Sequence, residues 1–121
     1  MTGRKTIAAL LFQMVFSERL KKNEDFRTVY REGRSAADRN LVIYVRKNDT
    51  ETSRIGISVS KKTGNSVKRH LFKRRIREIY RLRETELPKG RDYVVIARTG
   101  APDCDYDTLL LSFDHLMRKF K

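Results

Sequence analysis

Hydrophobic positions recur with two different periods along the chain, and the switches between them outline its elements. Residues 41–45, Leu-Val-Ile-Tyr-Val, are an unbroken β-branched and aromatic run that predicts a strand. Downstream, Ile55, Ile57 and Val59 alternate with Gly56, Ser58 and Ser60, the period-two pattern of a half-buried strand. After the breakers Pro88 and Gly90, residues 93–97 (Tyr-Val-Val-Ile-Ala) predict another buried strand. Helical spacing takes over elsewhere. Asn23 is placed to cap a helix running to Arg31, with Glu24 and Asp25 in its first turn and Gly33 as terminator. Gly64-Asn65-Ser66 closes the strand region and caps a long helix over residues 66–83. Residues 100–103 are a turn, and residues 106–120 an amphipathic terminal helix. With a short strand expected near Ser35 and Ala36, the order is α-β-β-β-α-β-α around a central sheet, an α/β class of fold. At 121 residues, with no repeat and no Gly/Ser- or Pro-rich linker, one domain is expected over residues 16–121, behind an extension of residues 1–15.

The long helix has two unlike faces. On a wheel of 100° per residue, Leu71, Phe72, Ile76, Ile79 and Leu82 form an apolar arc expected to enter the core. Arg69, His70, Lys73, Arg74, Arg77 and Arg81 fall opposite, along a helix ~27 Å long. Charge sharpens this picture. The chain carries 28 Lys+Arg against 15 Asp+Glu, a net +13, and residues 61–83 hold ten of the bases with Glu78 as their only acid. A solvated helix face ordinarily mixes both signs and gains from i,i+4 pairs. An uncompensated basic face points instead to a long polyanion, and nucleic-acid phosphates fit its spacing. Lys61, Lys62 and Lys68 lead into the same stretch and join it as candidate RNA contacts. A membrane-seeking or calmodulin-binding helix fits less well, because the chain has no Trp and the apolar arc is needed for the core.

Other chemistry is sparse. No apolar run approaches the ~20 residues that span a bilayer, and the single Cys104 excludes an internal disulfide, so a reducing, cytoplasmic setting is expected. Arg4 and Lys5 before an apolar stretch resemble a weak secretory signal, but no small-residue cleavage site follows. That segment reads as a packing or frayed terminus, or as an upstream extension with Met14 as the original start. Phe26 and Tyr30 share a helix face with Val29 beside them, which fits packing on the sheet. Tyr44 lies on the strand face opposite Leu41, Ile43 and Val45. If the three aromatics converge, they make a platform on which unpaired bases could stack. His70 and His115 lack a carboxylate at motif spacing, and Asp103, Asp105 and Asp107 lack the Gly and later Glu of a calcium loop. No catalytic or metal-ligating residue is therefore assigned within the chain.

The stretch from Lys61 to Glu78 carries a more specific signal. It resembles the protein subunit of bacterial ribonuclease P, with its Arg-Asn-Arg signature followed by Lys-Arg-x-x-Arg-Glu. Residues 19–26, 54–62 and 92–98 are similar to the same family, so the resemblance runs from about Phe16 to the C-terminus. It implies an α+β two-layer sandwich with a left-handed βαβ crossover, a hand that the ~98% preference for right-handed connections would not suggest. It also implies a catalytic RNA subunit as partner, precursor tRNA as substrate, Mg²⁺ bound mainly by the RNA, and neither a membrane nor DNA as a target. By position, Phe26, Tyr30 and Tyr44 match aromatics of a cleft for the 5′ leader, with Ser58, Ser60 and Lys62 as polar lining. Arg69, Lys73, Arg74 and Arg77 match cations that approach RNA. The chain departs from the pattern at His70 and Leu71, where the family has Asn and Arg; His70 stays on the basic face, while Leu71 is expected to turn inward. A structural RNA-binding protein resembling a ribosomal component and a self-contained nuclease remain as alternatives.

Overall fold

A computed structural model describes residues 17–120. Five strands form one sheet: β1 (Ser17–Arg19), β2 (Arg34–Ala37), β3 (Leu41–Lys47), β4 (Ser53–Ser58) and β5 (Arg91–Ala97), in the spatial order β1-β4-β5-β3-β2. The first two pairings in that order are parallel and the last two antiparallel. Three helices cover it: α1 (Asn23–Glu32), α2 (Ser66–Arg83) and α3 (Tyr106–Met117). Because β4 and β5 are parallel neighbours, the chain must cross over between them, and α2 is that crossover.

The alternation read from the strands sets the two faces of the sheet. Leu41, Ile43 and Val45 of β3, Ile55 of β4 and Tyr93, Val95 and Ala97 of β5 point to one side, where they meet Phe72, Ile76, Ile79 and Tyr80 of α2 and Leu109, Phe113 and Leu116 of α3. This is the sandwich of sheet and long helices. On the other side Val94 packs with Leu20 and Val29, and α1 lies across that face. No helix among the described residues is long and apolar enough to cross a membrane.

Several local expectations change. β1 was not expected: three residues on a sheet edge are too few to show a period. Helix α1 begins at Asn23, but Lys22 is its N-cap and supplies no side-chain bond, so Asn23 is the first helical residue rather than the cap. The acids Glu24 and Asp25 sit near the helix's partial positive end instead. Gly33 does end α1, although in extended backbone; a Cβ there would lie 2.6 Å from the Val29 carbonyl oxygen of α1 and 2.9 Å from the Val45 carbonyl oxygen of β3, so the close approach of helix and strand demands the glycine. The terminal helix stops at Met117 and continues as a 3-10 turn, Arg118–Phe120, that buries Phe120. On α2, Leu71 and Leu82 leave the core, at 39% and 52% exposure, and Tyr80 enters it. The buried stripe is centred on Phe72, Ile76, Ile79 and Tyr80, so both leucines lie on its flank. The readings of residues 1–15 and of Phe16 lie outside the described residues.

Candidate nucleic-acid interface

The α1 face of the sheet is built as three rows across β3, β5 and β4. Register sets Arg46, Asp92 and Arg54 side by side, then Tyr44, Val94 and Gly56, then Val42, Ile96 and Ser58. Helix α1 covers the middle row. Its spacing turns Phe26, Val29 and Tyr30 toward the sheet together, and Val29 is fully buried. Phe26 lies directly over Gly56, where a Cβ would come within 2.7 Å of the ring, so the glycine makes room for the aromatic. Ring centroids are 6.4 Å apart for Phe26 and Tyr30, and 5.1 Å apart, edge to face, for Tyr30 and Tyr44. The three aromatics therefore converge, with Tyr30 38% exposed and Tyr44 half-buried. The third row, also half-buried, extends the surface beyond them. Burial raises the Tyr30 hydroxyl above its ordinary pKa, against the lowering influence of its hydrogen bond with Ser58, so the ring is neutral at physiological pH.

The first row fixes α1 in place. Arg54 donates to both oxygens of the fully buried Asp92, at 2.8 and 2.7 Å, and Arg46 and Asn48 add bonds at 3.3 and 2.9 Å. Burial pushes the Asp92 carboxyl up, but the bonds from Arg54 and Asn48 and the two guanidinium charges outweigh it and hold the carboxyl below its ordinary value. Both arginines reach on to α1: Arg54 to Asp25 in the first turn at 3.2 Å, Arg46 to Glu32 in the last at 3.1 Å. Asp25 precedes Phe26 and Glu32 follows Tyr30 by two residues, so the clamp brackets the aromatics.

Helix α2 starts at Asn65, whose side chain accepts from the Lys68 amide at 2.9 Å. The cations on its two flanks differ in what they meet. Toward α3, Lys68 pairs with Asp103 at 2.8 Å, Arg75 donates to the Cys104 carbonyl at 2.6 Å, and Arg83 forms a two-point contact with Asp114 at 2.9 Å. On the outer face Arg74 bonds Glu78 at 3.2 Å. On the flank toward β1, Arg69, His70, Lys73 and Arg77 have no carboxylate partner among the described residues. Ser66, Arg69, His70 and Lys73 line one groove there. Arg69 does not lie opposite the core as expected: it sits at the inner border of this flank, and its Nε is buried without a hydrogen-bond partner among the described residues. Burial and the charge of Arg19 on β1 both lower the pKa of Arg77. An arriving phosphate would relieve both penalties.

The remaining candidates divide. Ser58 joins the cleft, whereas Ser60 caps the 3-10 turn Lys61–Thr63, accepting from the Lys62 amide at 3.0 Å, and so supports two exposed lysines. Arg81 is half-exposed on α2. Asp105 caps α3 through the Thr108 amide at 2.8 Å, and His115 is exposed in the last turn of that helix. Sequence reasoning missed Arg19 and the clamp of Asp25, Arg46, Arg54 and Asp92. They are far apart along the chain, and strand register together with the docking of α1 unites them.

A family model described as Ribonuclease P matches residues 14–121. The "Ribonuclease P protein component" of Alkaliphilus metalliredigens is 45% identical over 108 residues, covering 89% of this chain and 97% of that one. The protein of the same name from Clostridium acetobutylicum is 48% identical over 103 residues, covering 84% and 87%. Among solved structures, a Staphylococcus aureus RNase P protein superposes with a TM-score of 0.79 at 39% identity, over 85% of this chain and 94% of that one. The Thermotoga maritima RNase P protein gives 0.74 at 35% identity, over 83% and 96%.

Proposed function

The chain belongs to the ribonuclease P protein family, and from that premise we propose that it assists an RNA subunit in removing the 5′ leader from precursor tRNA. Phe26, Tyr30 and Tyr44, with Ser58 and the third row of the sheet, take the single-stranded leader by stacking and edge contacts. Lys61, Lys62, Arg69, His70, Lys73, Arg77 and Arg81 approach RNA phosphates, with Lys68 and Arg74 reaching them only as their pairs with Asp103 and Glu78 open. Hydrolysis belongs to the RNA in this reading, and the protein favours Mg²⁺ and substrate binding by screening charge between RNA strands. Mg²⁺, a hard cation that takes oxygen ligands, is assigned in this reading to RNA and substrate phosphates. The setting is the cytoplasm.

The observation that carries the reading is the pairing of a converged aromatic surface with a flank of cations that have no carboxylate partner among the described residues. The experiment is reconstitution. Combining the chain with a bacterial ribonuclease P RNA at physiological Mg²⁺ should create precursor-tRNA cleavage that neither component shows alone. Cleavage by the protein alone would favour the self-contained nuclease. RNA binding without stimulated cleavage would favour the structural RNA-binding protein.

A further inference from the structure

A second group of cations gathers where three strands meet at the far end of the sheet. Arg34 opens β2, Lys47 closes β3 and Arg91 opens β5. Register places Arg34 opposite Val45 and Lys47 directly opposite Arg91, so all three point to the α2/α3 side. They surround Phe120 in an open groove. Arg34 is held there: its Nη2 donates to the Phe120 carbonyl at 3.1 Å, and its guanidinium sits 5.7 Å from the centre of the Phe120 ring. Among the described residues the only carboxylate lining the groove, Glu32, is already bonded to Arg46 at 3.1 Å and Arg31 at 3.2 Å. Arg34, Lys47 and Arg91 thus have no carboxylate partner among the described residues. Like charges directly opposed on neighbouring strands destabilise a sheet, so the Lys47–Arg91 pair is costly unless an anion comes between them.

The group is also remote from the groove of Arg69, His70 and Lys73. Helix α2 begins beyond the C-terminal end of β4 and runs back to the start of β5, so its eighteen residues, ~27 Å of helix, separate the two. A ligand touching both must be long. We propose that Arg34, Lys47 and Arg91 form a second phosphate-binding surface, which takes the backbone of the RNA subunit at the opposite end of the molecule from the α2 groove. Two guanidinium forks and one ammonium suit phosphate oxygens, and nothing in the groove selects a base. The inference rests on the RNA-binding reading above but concerns a different surface.

The test is lysine acylation of the full chain read by mass spectrometry, with a bacterial ribonuclease P RNA or precursor tRNA as the probe, together with the salt dependence of binding to the ribonuclease P RNA. Lys47 and Lys73 should both lose reactivity several-fold at saturating ribonuclease P RNA. Because Arg34 supports Phe120, the variant for the salt experiment is Lys47→Gln/Arg91→Gln. It should flatten the slope of log K against log[salt] by about one unit, with a thermal midpoint that holds or rises. Loss of either effect overturns the proposal. If Lys47 stays reactive while Lys73 is protected, the second surface fails and RNA binding by α2 stands. If neither lysine is protected, the RNA-binding reading fails as well. Protection of Lys47 by precursor tRNA alone, and not by the RNA subunit, overturns the assigned partner.

Discussion

The aromatic cleft and the cationic flank of α2 lie on the same small domain and are built by opposite means. The cleft is neutral and pre-set: α1 is clamped at both ends through Arg54 and Arg46 to a buried aspartate, and the aromatics sit between the clamps. The flank is charged and left open, its cations standing on a helix held by Phe72, Ile76, Ile79 and Tyr80. Contact recognition needs a fixed surface, because stacking is lost within an ångström or two. Attraction from a distance needs exposed charge that nothing in the protein has already neutralised. Helix α2 shows the second rule within itself, since its flank toward α3 is also basic but its cations there are spent on Asp103, Asp114 and a carbonyl.

The comparison breaks most sharply at Asp92. Replacing it by alanine leaves Arg54 and Arg46 facing each other across β5 without their carboxylate, and removing one partner of a buried pair costs about 3–5 kcal/mol. Chemical denaturation of Asp92→Ala should show that loss, while Lys73→Ala/Arg77→Ala should keep or raise stability by relieving repulsion. The pH dependence follows in sign. A carboxyl whose folded pKa lies below its ordinary value of 3.8 contributes stability that is fully present above that value and is lost as pH falls through the lower folded one. Acid should therefore destabilise the wild type more steeply than Asp92→Ala below about pH 4. Equal stability of the two proteins at neutral pH would show that α1 does not depend on the clamp.

That clamp also marks where the sequence stops being legible. Composition of the apolar runs and the spacing of apolar residues were enough for the long strands, the helices and the placing of Tyr44 on the face away from Leu41 and Ile43, because successive strand residues face opposite sides of the sheet. Residue types marked the start of α2 within Gly64-Asn65-Ser66, where Asn65 supplies the cap. Spacing did not separate the two flanks of α2, since which basic residue is neutralised depends on Asp103 and Asp114, about thirty residues away and brought near by α3. It put Leu71 and Leu82 in the core because a wheel gives the angle of a residue but not the width of the surface it meets. Asp25, Arg46, Arg54 and Asp92 are ordinary surface residue types in sequence; strand register joins the two arginines to Asp92, and the docking of α1 on the sheet brings Asp25 to Arg54.

Tyr44→Ala should have the next largest effect, and on recognition rather than folding. The ring meets Tyr30 edge to face and belongs to the cleft side of β3, away from the main core. Stacking is worth about 1–3 kcal/mol per base, so affinity for precursor tRNA with a leader of several nucleotides should fall ~5- to 150-fold. Binding of mature tRNA and assembly with the RNA subunit should barely change. Equal losses for leader-bearing and leaderless tRNA, in a variant still folded by circular dichroism, would remove the cleft from leader recognition.

Salt then distinguishes the two flanks of α2. Each phosphate neutralised on a single strand contributes a slope near −0.7 in log K against log[salt]. Lys73→Ala/Arg77→Ala should flatten the slope for single-stranded RNA by about one unit, less than two complete contacts would give. Lys68→Ala/Arg75→Ala removes the same number of charges from the flank already engaged with Asp103 and Cys104, and should leave the slope nearly unaltered. Matching changes in the two variants would mean that RNA opens the Lys68–Asp103 pair and reads the helix from both sides.

The smallest effect is expected at the two histidines, and it bears on what neither surface does. His70 stands in the groove with Ser66, Arg69 and Lys73, where it can meet a phosphate, and His115 is exposed at the C-terminal turn of α3, on a different element, near enough to Asp38 for its charge to help lower that carboxyl. A general acid or base needs a second group that orients it, and among the described residues neither imidazole hydrogen-bonds a carboxylate. If the chemistry resides in the RNA, His70→Ala and His115→Ala should weaken binding modestly, the former more, and leave the hydrolytic step intact. Single-turnover cleavage by the assembled particle, at saturating protein and Mg²⁺, isolates that step from binding. A rate unchanged within a few-fold keeps both surfaces in the business of holding RNA; a loss of about 10³-fold or more at either histidine, the scale of acid–base and electrostatic catalysis, would move chemistry onto this chain.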